Sequence, residues 1–325
     1  METKTVIVTG TGGNVGQGIL RNIRAAYPDV RIVGTDIAAF TAGNHLCDAT
    51  YQVPYAFADN YIQTVKAIVE KERANLVIPS TDYEIYYLSL HEPELGCVVA
   101  ASEASLAKKY LDKYLTFLYH AEIGVPFAKS WLPSEFNGET DQIIVKPREG
   151  RGSRGIHINP ENPKAFGDDY MVQQLHTGKE ITTAFYVRKD GSLHGLLTME
   201  RELANGATSK SKTVRDYDDR LRGMIENMTA HKGLAGSINL QSIVDDAGNI
   251  IPFEVNCRIS GTNSIRHNLG FQDVKYTLQE YLFHESPDPV QTIDGIAIRL
   301  LYDVVYPNAT NENDLTNNQS PHIVY

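Results

Sequence analysis

Side chains that carry oxygen atoms alternate along a predicted hairpin in the second half of the chain. Two strand-like runs flank the turn DDAGN at 245–249, which is typical of a short connection between antiparallel strands. The two-residue period of a strand puts Glu254, Asn256 and Arg258 on one face. Pairing across the turn sets Gln241 opposite Glu254, to within about a residue. The other face is predicted to hold Ile251, Phe253, Val255 and Cys257.

The polar face of this hairpin predicts a metal site. Carboxylate and amide oxygens such as those of Gln241, Glu254 and Asn256 suit Mg²⁺ that is held jointly with nucleotide phosphates. Arg258 beside them would receive an anionic substrate or the phosphoryl group during transfer. The alternative is a solvated polar face on a half-buried sheet, which the same alternation also produces.

A lysine at the end of another predicted strand leads directly into a glycine-rich loop. The run 143–147 (IIVKP) contains Lys146, and the loop at 148–155 (REGRGSRG) contains Gly152, Ser153 and Arg154. Backbone N–H groups of such a loop can close over phosphates, while the lysine supplies a point charge. The alternative is a mobile surface hairpin with solvated arginines.

The glycine-rich segment at 9–16 (TGTGGNVG) lies between a predicted strand and a predicted helix. Such a turn can hold a phosphate, and Asp36 ends the next strand, where dinucleotide-binding folds often keep a ribose-binding acid. The pattern matches that of the short-chain reductases, which bind NAD(P) and carry a Tyr and a Lys four residues apart. Because no tyrosine here is followed by lysine at that spacing, a purely conformational role for the glycines is favoured.

Alternating strand and helix signals position these residues in the first hundred residues. Apolar strand-like runs separated by amphipathic helices indicate βαβ units, and therefore a parallel sheet covered on both faces. The predicted strands are 6–8, 31–37, 76–79 and 97–100, and the helices are 14–26 and 61–72. This part is predicted to be Rossmann-like.

The character of the chain changes after about residue 101. A helix is predicted over 105–122, stopped by Gly124 and Pro126. Short strands and turns follow, which predict a largely antiparallel α+β part. One strand-like run at 295–306 and a polar, Asn-rich, loose stretch at 308–318 complete the chain. The predicted divisions are 1–101, 102–285 and 286–325.

Composition excludes several classes of function. The 325 residues include 30 Lys and Arg against 40 Asp and Glu, a net charge of −10, which argues against nucleic acid and anionic membranes as partners. No run approaches the roughly 18 apolar residues of a membrane helix. Three scattered cysteines predict reduced thiols and a cytoplasmic location. The histidines form no zinc-binding cluster.

The order of these blocks resembles that of an ATP-grasp protein. The blocks are Lys113, the Val-Lys-Pro run with its loop, Gln-Gln-Leu at 173–175, Gly-Lys-Glu at 178–180, and the hairpin. The resemblance covers about residues 1–285 and is closest to short, single-unit relatives of the carbamoyl phosphate synthetase large subunit. It implies a Rossmann-like pre-ATP-grasp domain, followed by an ATP-grasp fold whose two subdomains divide near residue 168.

The resemblance also implies roles for individual residues. Phosphate contacts are implied for Lys113, Lys146, Arg154, Gly152 and Ser153. The adenine hinge corresponds to Gln173, Gln174 and Leu175, and the ribose-binding acid to Glu180. Cations for phosphate or substrate correspond to Lys210 and Lys212. Magnesium ligands correspond to Gln241, Glu254 and Asn256, and the catalytic cations to Arg258, Lys146 and Arg154. Gln173 departs from many relatives, which have Glu at this position.

The implied activity is that of an ATP-dependent carboxylate–amine or carboxylate–thiol ligase, which forms an acyl phosphate and releases ADP and phosphate. ATP with Mg²⁺, or Mn²⁺ in its place, would be the cofactors, and the partners would be a small carboxylate, a nucleophile and a second copy of the chain. Two alternatives are a non-catalytic ATP-binding regulatory protein and an NAD(P)-binding Rossmann protein. Arg266, His267 and Asn268 belong either to an acceptor pocket or to ordinary surface.

Overall fold

A parallel sheet forms the first part of the protein. The computed structural model describes residues 3–150 and 154–325. The strands β1 to β5 are Thr5–Thr9, Arg31–Asp36, Ala49–Gln52, Leu76–Ile78 and Val98–Val99, in the order β3-β2-β1-β4-β5. The helices α1 to α4 are Asn14–Ala26, Tyr61–Glu72, Asp82–Leu90 and Glu92–Leu95. The predicted Rossmann-like fold is confirmed. Sequence analysis missed β3 because this half-exposed edge strand lacks an apolar run.

Strand alternation buries both faces of this sheet. Val6 and Val8 of β1 pack in one cluster with Ile19 of α1. Ile7 faces the other way and packs with Tyr61 of α2. A strand covered on both sides must be apolar throughout, which explains the unbroken VIV run.

Two helices replace the single helix predicted over 105–122. They are α5, Ala104–Leu111, and α6, Lys113–Glu122. Asp112 between them has an extended backbone, and its carboxylate accepts the N–H groups of Tyr114 (2.9 Å) and Leu115 (3.1 Å). Aspartate competes for backbone donors in this way and so begins a new helix. The break makes Lys113 the first residue of α6.

A four-stranded antiparallel sheet follows. Its strands β6 to β9 are Ser130–Trp131, Ile143–Pro147, His157–Ile158 and Tyr170–Gln174, in the order β6-β9-β7-β8. Its small core contains Phe136, Val145 and Val172. Because β9 still belongs to this sheet, the change to the next sheet falls at 175–178 rather than near residue 168.

The largest sheet has six antiparallel strands. The strands β10 to β15 are Lys179–Val187, Leu193–Ala204, Ala207–Thr213, Gly236–Val244, Ile250–Asn256 and Ile296–Ile298, in the order β14-β13-β10-β11-β12-β15. Helix α7, Asp218–Thr229, covers one face, where Leu221 and Ile225 pack with Phe185 and Ile238. The opposite face borders the cleft described below.

A β-bulge changes the predicted faces of the hairpin. Gln241 pairs with Glu254 as predicted, but Ser242 pairs with Pro252, which leaves Phe253 without a partner in the ladder. The extra residue interrupts the two-residue alternation. Phe253 therefore borders the cleft together with Glu254, whereas Val255 enters the core on the other side. The prediction that Phe253 and Val255 share a face is wrong.

Helix α8, Asn263–Asn268, and helix α9, Asp273–Thr277, join the large sheet to the N-terminal part, and a π-helical turn, Leu278–Phe283, follows. Asn22 of α1 donates to Asn263 of α8 (3.1 Å). Gly18 permits this contact, because a Cβ atom there would lie 2.2 Å from Asn263 Oδ1. Arg266 and Asp273 form an ion pair whose side chains are both fully buried.

The tail differs from its prediction. The run at 295–306 is not one strand, since β15 is followed by a separate short strand β16, Val304–Val305, which pairs with β17, Ile323–Val324. The Asn-rich stretch is held against the N-terminal part, where Asn44 donates to the carbonyl of Leu315 (2.8 Å) and Asn318 donates to that of Cys47 (2.8 Å). Across the described residues, none of the helices has both the length and the apolar character to cross a membrane.

Replacing Asp273 with alanine is expected to lower the free energy of unfolding by about 3–5 kcal/mol, because it leaves the Arg266 charge buried without its partner. Asp288→Ala is the matched control, since Asp288 forms an exposed pair with Lys275 (2.6 Å) and its loss should cost no more than about 1 kcal/mol. Urea unfolding of both variants measures the difference. Equal losses would contradict a structural role for the buried pair.

Candidate functional site

One cavity of about 790 Å³ borders all three large sheets. Its walls are the ends of β1 and β2 with the loop before α3, the inner side of β7 and β9, and the uncovered face of the six-stranded sheet. Of the residues predicted to do chemistry, those on this cavity are Lys113, Lys146, Arg154, Gln173, Gln174, Leu175, Glu180, Gln241, Glu254, Asn256 and Arg258. Gly152 and Ser153 lie outside the described residues.

Lys146 borders the cleft, and its side chain is almost fully buried. Its ammonium group donates to Gln173 Oε1 (2.9 Å) and to the carbonyl of Phe253 (3.5 Å). Gln173 is buried beneath the cleft and also donates to Ser130 Oγ (3.2 Å). The Gln173 side chain therefore orients Lys146, and its amide group is not free to bind an adenine base.

Burial and neighbouring charges shift the pKa values of Lys146 and Glu254. Burial lowers the pKa of Lys146 to about 8, against the opposing effect of the Glu254 carboxylate. Burial alone would raise the pKa of Glu254, but the charges of Lys113 and Lys146 and the hydrogen bond from Asn256 bring it below its usual value. The carboxylate is thus ionised at neutral pH, beside cations that a polyphosphate would stabilise.

Lys113 reaches the cleft because of the break at Asp112. The carboxylate that caps α6 also binds the guanidinium of Arg148 through Nε (3.0 Å) and Nη2 (2.5 Å). Lys113 N donates to the carbonyl of Arg148 (3.0 Å), and its ammonium donates to the carbonyl of Gly150 (3.1 Å). These contacts join the start of α6 to the loop that carries Arg154.

The predicted adenine hinge has fewer free backbone groups than expected. Gln174 N donates to the carbonyl of Lys129 (2.8 Å), and Leu175 N donates to that of Gln142 (2.9 Å). A base in this part of the cavity would therefore meet carbonyl oxygens or side chains of these residues, since both N–H groups are already used.

A row of hydrogen bonds crosses the floor of the cavity. Arg201 binds Glu180 through Nε (2.8 Å) and Nη2, and Nη2 also donates to Gln241 Oε1 (2.5 Å). Gln241 Nε2 donates to Asn256 Oδ1 (3.0 Å), and Asn256 Nδ2 donates to Glu254 Oε1 (2.9 Å). Gln241 thus directs its oxygen towards Arg201, and it would have to rotate its amide to serve as a metal ligand.

Arg201 is the principal residue that sequence analysis missed, and it takes the place expected for two lysines. Lys210 and Lys212 pair across the ladder with Glu202 and Glu200, and their ammonium groups lie 3.3 Å from those carboxylates. Strand alternation puts these four side chains on the face opposite Arg201. The structure therefore does not bring Lys210 and Lys212 to the cavity. The sequence Glu200, Arg201, Glu202 lies within one strand, so Arg201 must face the opposite side from the two glutamates, and this pattern could have identified it.

Arg258 connects the large sheet to the N-terminal part. Its Nη2 lies 2.9 Å from Asp82 Oδ2 at the start of α3. Glu84 follows in the same helix and accepts hydroxyl hydrogen bonds from Thr9 (2.7 Å) and Thr81 (2.8 Å). Burial raises the pKa of Glu84, although these hydroxyl groups oppose the shift. This end of the cavity thus carries carboxylates, whereas the other end carries cations.

Arg266 does not belong to an acceptor pocket. Besides Asp273, it donates to the hydroxyl groups of Ser260 (2.7 Å) and Thr262 (2.9 Å), both of which border the cavity. It therefore supports the cavity wall from behind. Among the described residues, His267 and Asn268 are likewise absent from the cavity lining.

The N-terminal glycines have conformational roles. Gly10 has φ +59°, and a Cβ on Gly16 would lie 2.4 Å from the carbonyl oxygen of Gly10. The Asp36 carboxylate accepts the backbone N–H groups of Gly12 (2.8 Å) and Ala38 (3.1 Å). The glycines therefore have the conformational role that is predicted for them, and Gly10, Gly12, Gly13 and Asp36 also border the cavity.

Two sequence families match consecutive parts of the chain. Residues 6–100 match the PylC-like N-terminal domain, and residues 110–262 match the ATP-grasp domain. Residues 110–262 therefore form an ATP-grasp domain, which follows a PylC-like N-terminal domain. The predicted order of a Rossmann-like domain and an ATP-grasp fold is confirmed, whereas the finer likeness to carbamoyl phosphate synthetase stays a prediction. No curated protein matches the chain in sequence.

Solved ATP-grasp structures share this fold at low sequence identity. N5-carboxyaminoimidazole synthetase from Staphylococcus aureus, complexed with ADP, is 13% identical, with a TM-score of 0.75 over 93% of this chain and 83% of that one. The biotin carboxylase domain dimer of 2-oxoglutarate carboxylase from Hydrogenobacter thermophilus, in complex with MgADP, ADP and bicarbonate, is 14% identical, with a TM-score of 0.70 over 91% and 74%. At these identities the likeness establishes the fold.

Asp112→Ala is expected to lower the free energy of unfolding by about 2–4 kcal/mol, because it removes both the helix cap and the ion pair with Arg148. Asp112→Asn keeps a capping side chain and should lose only about half as much. Urea unfolding of the two variants separates the contributions. The assignment of Asp112 as a cap would be wrong if both variants lost the same free energy.

Proposed function

We propose that the protein is an ATP-dependent ligase that joins a small carboxylate to an amine. The observation that carries this proposal is the meeting of Lys113, Lys146, Glu254 and Arg258 in one cleft. Phosphoryl transfer requires alignment and charge neutralisation more than a protein nucleophile. The cleft supplies both, and it belongs to an ATP-grasp domain.

The donor set fits a magnesium ion that is shared with ATP. Among the described residues no group of three or more His, Cys, Asp or Glu side chains is placed to hold a metal by itself. Mg²⁺ is commonly bound through one or two carboxylates together with substrate phosphates. Glu254 and Asn256 would hold it, with Gln241 as a further ligand after its amide rotates. The ion would neutralise charge on the phosphates, and Mn²⁺ has the same ligand preference.

The reaction has two steps. A carboxylate oxygen of the substrate attacks the γ-phosphorus of ATP, the bond from that phosphorus to the bridging oxygen of ADP breaks, and an acyl phosphate forms. The amine nitrogen then attacks the acyl carbon, the carbon–oxygen bond to phosphate breaks, and the amine loses a proton. Lys113 and Lys146 would stabilise the phosphates in the first step, and Arg258 would bind the departing phosphate or the carboxylate.

The choice of an amine over a thiol is supported by charge. Asp36, Asp82 and Glu84 border the end of the cavity that faces the N-terminal sheet. Because Asp82 is paired with Arg258 and Glu84 with hydroxyl groups, Asp36 is the carboxylate at that end that favours an amine, which is cationic in water. A second copy of the chain and a cytoplasmic location remain predictions.

Glu254→Ala and Lys146→Ala are each expected to reduce ATP turnover by at least about a hundredfold, because each removes a charge that aligns the phosphates. Phosphate release, screened with amino acids and small carboxylic acids as substrates, measures turnover. Glu200→Ala is the control, since Glu200 lies on the other face of the same sheet. Full activity in both cleft variants would contradict the proposal. ATP binding without turnover for any substrate would favour the regulatory alternative.

ATP affinity is expected to fall as pH rises above about 8, because the pKa of Lys146 in the free protein is about 8. Bound phosphates favour the charged ammonium, so binding above that pH takes up as much as one proton, and affinity declines by up to about tenfold per pH unit. Titration calorimetry from pH 7.5 to 9.5 at saturating Mg²⁺ measures the affinity. Repeating it in a second buffer measures the number of protons taken up. Lys146→Met should bind more weakly and lose this dependence; an unchanged pH profile would exclude Lys146 as its source.

A further inference from the structure

We propose that Arg201 is a positioning residue that joins the sugar end of the nucleotide site to its metal end. The inference rests on the proposed function, because it concerns the same cleft. It assigns a role to a side chain that the family resemblance did not select.

The guanidinium of Arg201 satisfies two acceptors from neighbouring strands at once. Its side chain is only 12% exposed, and it binds Glu180 of β10 and Gln241 of β13. A planar guanidinium can hold two such acceptors in a fixed geometry, whereas a lysine ammonium acts as a point charge. The position therefore requires arginine rather than any cation.

Arg201 also gives the floor of the cavity a single hydrogen-bond direction. Because Gln241 accepts from Arg201 through its oxygen, its nitrogen is left to donate to Asn256, and Asn256 then donates to Glu254. A reversed Asn256 would turn its amide oxygen towards the Glu254 carboxylate, where two acceptors would meet. Without Arg201, the Glu254 carboxylate still orients Asn256, but Gln241 is free to rotate its amide oxygen towards the metal position.

Glu180 is held by this contact but is not blocked. Both hydrogen bonds from Arg201 end on Oε1. Within 3–150 and 154–325 no donor reaches Oε2, which remains able to accept ribose hydroxyl groups. Arg201 should therefore affect two properties together: the preference for a complete ribose and the concentration of Mg²⁺ that ATP binding requires.

The test is equilibrium binding of ATP, 2′-deoxy-ATP and 3′-deoxy-ATP to the full chain over a range of Mg²⁺ concentrations. The wild-type protein should prefer ATP over at least one deoxy analogue by about tenfold, as expected for a hydrogen bond to a charged group. In Arg201→Met that preference should fall below about threefold, and half-saturation should need at least about three times less Mg²⁺, because Gln241 no longer has to leave Arg201 before its oxygen binds the ion. Arg215→Met, which removes an arginine paired with Asp294 (2.9 Å) outside the cavity, is the matched control.

Arg201→Lys separates positioning from a general effect on the fold. A lysine can still pair with Glu180 but cannot hold Gln241 as well, so sugar preference should largely return while the lowered Mg²⁺ requirement persists. Should Arg201→Met fail to fold in a thermal unfolding assay, this second variant decides alone. Wild-type sugar preference and Mg²⁺ requirement in either variant, or a raised Mg²⁺ requirement, would overturn the proposal. Absence of ATP binding to the wild-type protein would instead overturn the proposed function, and this inference with it.

Discussion

A lysine ammonium buried inside a protein is costly unless oxygen atoms surround it, and the cleft is built around that constraint. Lys146 obtains an amide oxygen from Gln173 and a carbonyl from Phe253. This carbonyl lies on the β14 bulge, where Phe253 has no partner in the ladder, and it accepts a hydrogen bond from the buried ammonium group. Glu254 follows the bulge and compensates the charge across the cavity. The Lys146 side chain thus links the four-stranded sheet to the six-stranded sheet.

The cavity changes in electrostatic character along its length. Its grasp end combines Lys113, Lys146 and Arg201 with oxygen donors, whereas the end under the N-terminal sheet presents Asp36, Asp82 and Glu84. A protein with a net charge of −10 must concentrate its cations in order to bind a polyphosphate. These cations lie on α6, β7 and β11, at the grasp end of the cavity.

Sequence patterns predicted those features of the fold that depend on neighbouring residues in the chain. The turn at 245–249 sets the register that pairs Gln241 with Glu254, and the apolar run before Lys146 marks its strand. Patterns could not predict features that depend on distant neighbours. Alternation shows that Lys210 and Lys212 share a face, but only the pairing with β11 shows which face. The bulge at Phe253 and the burial of Arg266 against Asp273 likewise depend on tertiary packing.

The contact between α1 and α8 has a mechanical consequence. Gly18 and Asn22 fit against Asn263, and Arg258 binds Asp82, so two separate contacts join the parallel sheet to the six-stranded sheet. The hydrogen bond from Lys146 to the Phe253 carbonyl joins the four-stranded sheet to the six-stranded sheet. Separation of these two sheets would hydrate the ammonium group of Lys146 and raise its pKa towards the usual value. Proton binding and the aperture of the cleft are therefore thermodynamically linked.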